Sequence, residues 1–96
     1  MNKQTLTSFQ QGDKTAFAAL VERYQKPLFA YLGRMALPQA VAEEIAQEAF
    51  IKAWQAKDSF DPQRTAISTW LFTIARRLAL NEVLHQAHYR GTGRYR

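Results

Sequence analysis

Apolar residues recur along this chain at spacings of three and four, the signature of amphipathic helices. The clearest run is Lys14 to Met35, where Ala16, Phe17, Leu20, Val21, Tyr24, Leu28, Tyr31, Leu32 and Met35 form one seam. Pro27 interrupts it; an interior proline loses the bond to the carbonyl of Arg23 at about 3 kcal/mol. The seam continues on the far side, which predicts a kink and not an end. Before this helix, residues 3–11 predict a short one stopped by Gly12, with Asp13 as the next N-cap. After it, Ala36-Leu37-Pro38 makes a short connection, with Pro38 at or just before a first turn, where its missing N–H costs nothing. Helices joined this tightly are antiparallel neighbours.

The stretch Ala42 to Phe60, AEEIAQEAFIKAWQAKDSF, predicts a helix with two different faces. At about 100° per residue, Ala42, Ile45, Ala46, Ala49, Phe50, Ala53 and Trp54 fall in one apolar arc suited to a core. The opposite arc holds Glu44, Gln47 and Glu48 around Ile51. Two readings are open for it. One is a docking surface for a basic helical partner, with Ile51 as a desolvated anchor inside a polar rim. The other is a solvated acidic face with one stray isoleucine.

Asp58 to Thr65 is the longest turn-like segment, broken by Pro62, with Phe60 looking exposed and Thr65 or Ser68 as possible N-cap of the next helix. From Ala66 to about His88 the period resumes, with Ile67, Leu71, Ile74 and Leu78 on a core-like face. Behind them Thr69, Thr73, Arg76, Arg77, Leu80 and Leu84 share an arc, with Trp70 and Asn81 at its edge. Hydroxyls, arginines, an indole and an amide on one surface are groups that contact phosphates and stack on unpaired bases; a solvated face with a half-buried tryptophan has the same composition. The last residues, HYRGTGRYR, carry two glycines and no apolar period, so they read as a frayed end or linker.

These elements make one all-α domain: a compact bundle of three long helices plus a short N-terminal one over residues 1–88, with a flexible tail or start of a linker over 89–96. Ninety-six residues suffice for one core. Cysteine is absent, which removes disulfides and thiolate metal sites. Neither a signal peptide nor an apolar run long enough for a membrane span is present, so the chain reads as soluble and cytoplasmic. Charge adds a direction. The formal net charge is +5, and residues 61–96 hold six arginines against two acids, whereas residues 1–60 hold seven basic residues against six acidic. Arginine is the side chain best suited to phosphate forks and base stacking, which makes a nucleic acid the first partner to test.

Catalytic chemistry has little to work with. Glu82-x-x-His85, with His88 one turn on, has the spacing of a metal-bridging helix, but such bundles need a second Glu-x-x-His and the chain has no other histidine. Ser59 and Ser68 lack a histidine base nearby in sequence, and there is no glycine-rich phosphate loop. Glu43-Glu44 are explained by solvation or a basic partner more simply than by acid–base work. No enzyme, metal or cofactor is expected.

Three blocks in order, GDKTAFAALVERYQ, AEEIAQEAFIKAWQAKDSF and STWLFTIARRLALNEV, resemble the second conserved region of bacterial sigma factors, most closely the extracytoplasmic-function (ECF) group. The second is similar to that family's AEDLVQEVFLRAW and the third to its WLYRIARNLALD. The resemblance implies a transcription initiation domain that binds core RNA polymerase and recognises and melts the promoter minus-ten element. It assigns Glu44, Gln47, Glu48 and Ile51 to the coiled coil of the polymerase's largest subunit. It assigns Phe60, Asp61, Arg64 and Thr65 of the loop, with Thr69, Trp70, Thr73, Arg76, Arg77 and Asn81 of the following helix, to the single-stranded non-template strand. An anti-sigma factor is a further implied partner. Glu44 stands where the family often has Asp, Arg77 where it has Asn, Asn81 where an aspartate follows, and His85 where arginine is common; these bear on base preference. The chain ends before any helix-turn-helix for the minus-thirty-five element, as a fragment would. The rival reading is a helical protein-interaction adaptor, in which Ile51 and Trp70 anchor a partner and the arginines are solubilising charge.

Overall fold

The chain is built from α1 (Lys3–Gln10), α2 (Lys14–Gly33), α3 (Gln39–Gln55), a 3-10 turn (Lys57–Ser59) and α4 (Ile67–Arg94). This computed structural model describes the backbone of residues 1–94 and the side chains of residues 1–86. Among the described residues there is no strand, as the all-α expectation requires.

Helix ends follow local chemistry. The Asn2 side chain caps α1 by accepting the Thr5 N–H at 2.8 Å, and Asp13 caps α2 by accepting the Thr15 N–H at 2.8 Å. Between them, the Gly12 N–H donates to the Phe9 carbonyl and the Asp13 N–H to the Ser8 carbonyl, both at 3.0 Å. That pair of bonds closes α1 and requires the left-handed φ of +89° at Gly12. A side chain there would have room, meeting only Lys57 Cε at 3.8 Å, so backbone conformation is what selects glycine. Pro38 stands at the N-cap of α3. Helix α2 runs unbroken through Pro27; both Pro27 and Arg23 are exposed, so water can take the carbonyl that proline leaves without a donor.

Packing places α3 against both α2 and α4, while α1 lies on α2 and the 3-10 turn. The predicted apolar arc of α3 is its buried face: Ala42, Ile45, Ala46, Ala49, Phe50 and Ala53 are buried and Trp54 is half-buried. Burying each large apolar side chain contributes about 1.5–3 kcal/mol. The α4 core face is rotated from expectation. Ile67, Leu71, Ala75 and Ala79 are buried, whereas Ile74 and Leu78 are half-buried beside them. Alanines on both α3 and α4 allow close approach of the helices, and the bulkier residues flank that approach instead of filling it.

Three further expectations change. Helix α3 begins at Gln39, directly after Pro38 as that proline's place requires, but it ends at Gln55 instead of running to Phe60, with a separate 3-10 turn between. The Trp70 N–H donates to the Ala66 carbonyl at 3.1 Å, so Ala66, and neither Thr65 nor Ser68, occupies the N-cap position of α4. Helix α4 passes the expected end near His88 and reaches Arg94. Residues 88–94 contain no proline, and two glycines weaken a helix by about 1 kcal/mol each without stopping it. The rest of the tail expectation, on side chains beyond Gln86 and on residues 95 and 96, lies outside the described residues.

Candidate functional site

On α3, Glu44, Gln47 and Glu48 are exposed on the arc opposite the alanine stripe, and Ile51 among them is 54% exposed. Ile51 is one of three exposed large apolar side chains among the described residues, with Leu80 at 38% and Leu84 at 66%. Isolated on an otherwise polar face, it has the character of an anchor with a rim around it. Gln47 also lines a groove between α2 and α3, together with Lys26, Phe29, Glu43 and Phe50.

The basic side is assembled from α2, α4 and the loop between α3 and α4. Ser68, Phe72 and Arg76 follow one another at i, i+4 and i+8, with Thr69 and Thr73 beside them. Together with Tyr31 from α2 they line an open groove of about 390 Å³. Tyr31 packs on Phe72 with ring centroids 5.3 Å apart, and Tyr24 meets the same ring edge-on at 6.5 Å. Aromatic rings, hydroxyls and one guanidinium around a concavity can stack a base and hold its phosphate. The Thr73 hydroxyl donates to the Thr69 carbonyl at 2.7 Å, so toward a ligand it is left as an acceptor.

The two neighbouring arginines separate. Arg77 lies about 100° around α4 from Arg76 and lines a different groove, between α3 and α4, with Lys52, Gln55 and Ile74. The single arc expected for both is therefore two flanks of one exposed face. Asn81, Leu80 and Leu84 are exposed further along α4.

Phe60 is the main correction in the loop. Expected to be exposed, it is 3% exposed and packs on Trp70 with centroids 5.1 Å apart. Trp70 is half-buried and meets Phe9 edge-on at 6.4 Å, and Phe9 and Trp54 both touch Phe17. Rings from all four helices thus collect under the loop, because a loop with no period of its own still gains about 1.5–3 kcal/mol by burying a phenylalanine. Lys57 caps the cluster, its Nζ lying 4.4 Å from the Trp54 ring centroid and 3.2 Å from the Trp54 carbonyl. Above the cluster, Asp61, Pro62, Gln63 and Arg64 are exposed and Thr65 is half-buried. The Asp61 carboxylate accepts the Gln63 N–H at 2.9 Å, an Asx-type turn that leaves its second oxygen free.

Three groove residues escape a reading of helical arcs alone: Tyr31, Ser68 and Phe72. The row Ser68–Phe72–Arg76 is visible as an i, i+4 series, but Tyr31 joins it only through the packing of α2 on α4. At the other end of α4, the Glu82 carboxylate accepts from the Gln86 side-chain amide at 3.2 Å and His85 is exposed; the side chain of His88 lies outside the described residues.

Comparison with known proteins agrees with this geometry. The ECF RNA polymerase sigma factor SigW of Bacillus subtilis is 40% identical over 83 residues, covering 86% of this chain and 44% of its own length. The ECF RNA polymerase sigma-E factor of Escherichia coli K12 is 42% identical over 77 residues, covering 80% of this chain and 39% of its own. The chain thus spans less than half the length of these relatives. A solved structure of an engineered region 2 of sigmaE, in complex with GTAAAA, superposes with a TM-score of 0.78 at 38% identity, over 93% of this chain and 97% of that one. The family model for sigma-70 region 2 matches residues 20–89, which takes in most of α2, all of α3, the loop and most of α4. A four-helix body with those three blocks at their expected places in the fold belongs to the sigma-70 region 2 family, and it is a region 2 domain of the ECF type.

Proposed function

We propose that this domain works in transcription initiation, by binding and not by turnover. The outer face of α3, with Glu44, Gln47, Glu48 and Ile51, docks on the coiled coil of the largest subunit of core RNA polymerase. The loop after Phe60 and the groove of α4 capture the unwound non-template strand of the minus-ten element. Arg64 and Arg76 meet phosphates, Thr69, Thr73 and the exposed part of Trp70 line the path of the strand, and Asn81 reads a base edge. Phe60 contributes from beneath, by holding Trp70. Trapped bases offset the cost of unstacking with contacts in the groove, a few kcal/mol per base.

The observation that carries this reading is the superposition on a region 2 of sigmaE bound to GTAAAA, over nearly the whole of both chains. The physical arrangement supports it: the acidic and aliphatic face of α3 and the basic and aromatic groove of α4 are separate, so both partners can bind at once. Work on polymerase and promoter DNA puts the protein in the cytoplasm, and no helix among the described residues is long and apolar enough to cross a membrane. The expected anti-sigma factor belongs to the same proposal and rests on the family resemblance. The test is fluorescence anisotropy of the 96-residue chain with single-stranded GTAAAA and with its scramble, beside co-purification with core polymerase. Binding to polymerase with preference for GTAAAA is expected. Binding to neither would return the chain to the class of protein-interaction adaptors.

A further inference from the structure

Gln10, the last residue of α1, belongs to neither surface described above. Its side-chain amide donates to the Lys57 carbonyl at 3.1 Å and to the Phe60 carbonyl at 2.6 Å, 47 and 50 residues further along the chain. A primary amide has two N–H donors, so both are engaged. The Lys57 carbonyl also accepts the Phe60 N–H at 3.3 Å, and three bonds therefore close on the entry to the loop. The residue before Gln10 is Phe9, fully buried, whose ring meets Trp70 in the first turn of α4. Helix α1 thus grips the loop at its entry through Gln10 and at its exit through Phe9.

Between these grips the loop is held by its own turn. The Arg64 and Thr65 N–H groups donate to the Asp61 carbonyl at 3.0 and 3.2 Å, and Gln63 donates to the Asp61 carboxylate. Bonds of this kind set the shape of the loop but not where it stands relative to α4. Gln10 supplies that second constraint, since it ties the loop's first residue to an element outside the turn.

We infer that Gln10 is a positioning residue for strand recognition: it fixes the loop so that Asp61, Arg64 and Thr65 address the same stretch of strand as Thr69 and Arg76. The inference rests on the minus-ten reading above. Its role is indirect, because the side chain is spent on two carbonyls and has no donor left for a ligand.

Two variants of the 96-residue chain test it. Gln10→Glu sets a carboxylate against two carbonyl oxygens, and Gln10→Met keeps the length while removing the donors. Each should lower the ratio of affinities for single-stranded GTAAAA over its scramble by about fivefold, the order expected for lost hydrogen bonds. The slope of log affinity against log salt should fall by no more than about 0.7, because Arg64 is the one phosphate contact that depends on where the loop stands. Amide hydrogen exchange at Arg64 and Thr65 should quicken while the core amides of α3 and α4 hold their protection. An unchanged ratio despite faster loop exchange would overturn the inference, and so would core amides that lose protection along with the loop, since Gln10 would then support the whole fold. A wild-type chain that does not distinguish GTAAAA from its scramble would sink the minus-ten reading instead, and unchanged loop exchange in both variants would then refute Gln10 as the loop's anchor separately.

Discussion

Phe60 lies with its ring centroid 5.1 Å from the indole of Trp70, tilted by 44°, and this pair fastens the recognition loop to the start of α4. The contact joins the last residue before the exposed turn to a residue four positions inside the next helix. Phe60→Ala should therefore destabilise the domain by about 3–5 kcal/mol, as a buried phenylalanine truncation does. Urea denaturation measures it. A loss under about 1 kcal/mol would mean the ring is exposed in solution, as a loop residue with no helical period first suggests.

The rotated core face of α4 gives a comparison within one helix. Leu71 is fully buried, so Leu71→Ala should cost about 2–5 kcal/mol. Ile74→Ala, at a half-buried flank, should cost less, and Arg76→Ala should stay within about 0.5 kcal/mol. Thermal midpoints ordered Leu71, Ile74, Arg76 from largest loss to smallest would agree with the packing. Equal losses for Leu71 and Ile74 would put the centre of the face between them, where the sequence pattern alone sets it.

On α3, Glu48→Lys should weaken binding to core polymerase while leaving helicity intact, because an exposed charge contributes about 0–1 kcal/mol to a fold. Ile51→Ala should cost more than about 1 kcal/mol of the same binding if it is the anchor of that face. Co-purification and circular dichroism on the same samples separate the two effects. Helicity falling in step with binding would make Glu48 structural, and an unchanged affinity for Ile51→Ala would leave it an ordinary exposed isoleucine.

The divergence of Arg76 and Arg77 sharpens the prediction for the DNA side. Each phosphate contact to a single strand contributes about 0.7 to the slope of log affinity against log salt. Arg76→Ala, in the groove with Tyr31 and Phe72, should remove about that much and weaken all strands alike. Arg77→Ala, which faces Lys52 and Gln55, should change the slope less. Asn81→Ala should leave the slope untouched and relax preference among minus-ten sequences, since an amide releases no counterion. Anisotropy at several salt concentrations reads all three. Equal slopes for wild type and Arg76→Ala would remove Arg76 from the strand path.

Features that repeat locally could be read from the order of residues alone. The 3.6-residue period separated the buried stripe of α3 from Glu44, Gln47, Glu48 and Ile51, because both faces belong to one helix and need no neighbour to define them. Gly12 and Asp13 marked the α1–α2 boundary, since caps are bonds between residues at most five apart. The three blocks carried the family on the same footing. Which bulky residues lose their water depends instead on how the helices pack. Phe60 has no period to betray it, and its burial depends on the Trp70 ring of α4, which meets it only in the fold. Ile74 and Leu78 yield the centre of the core to Ala75 and Ala79, and that rotation of α4 is set by the helices it packs against, which its own stripe does not contain. Tyr31 reaches the groove, and Gln10 the loop, across 37 or more residues of chain. Contacts at that separation are set by how helices pack, and periodicity within a helix carries no information about its partner.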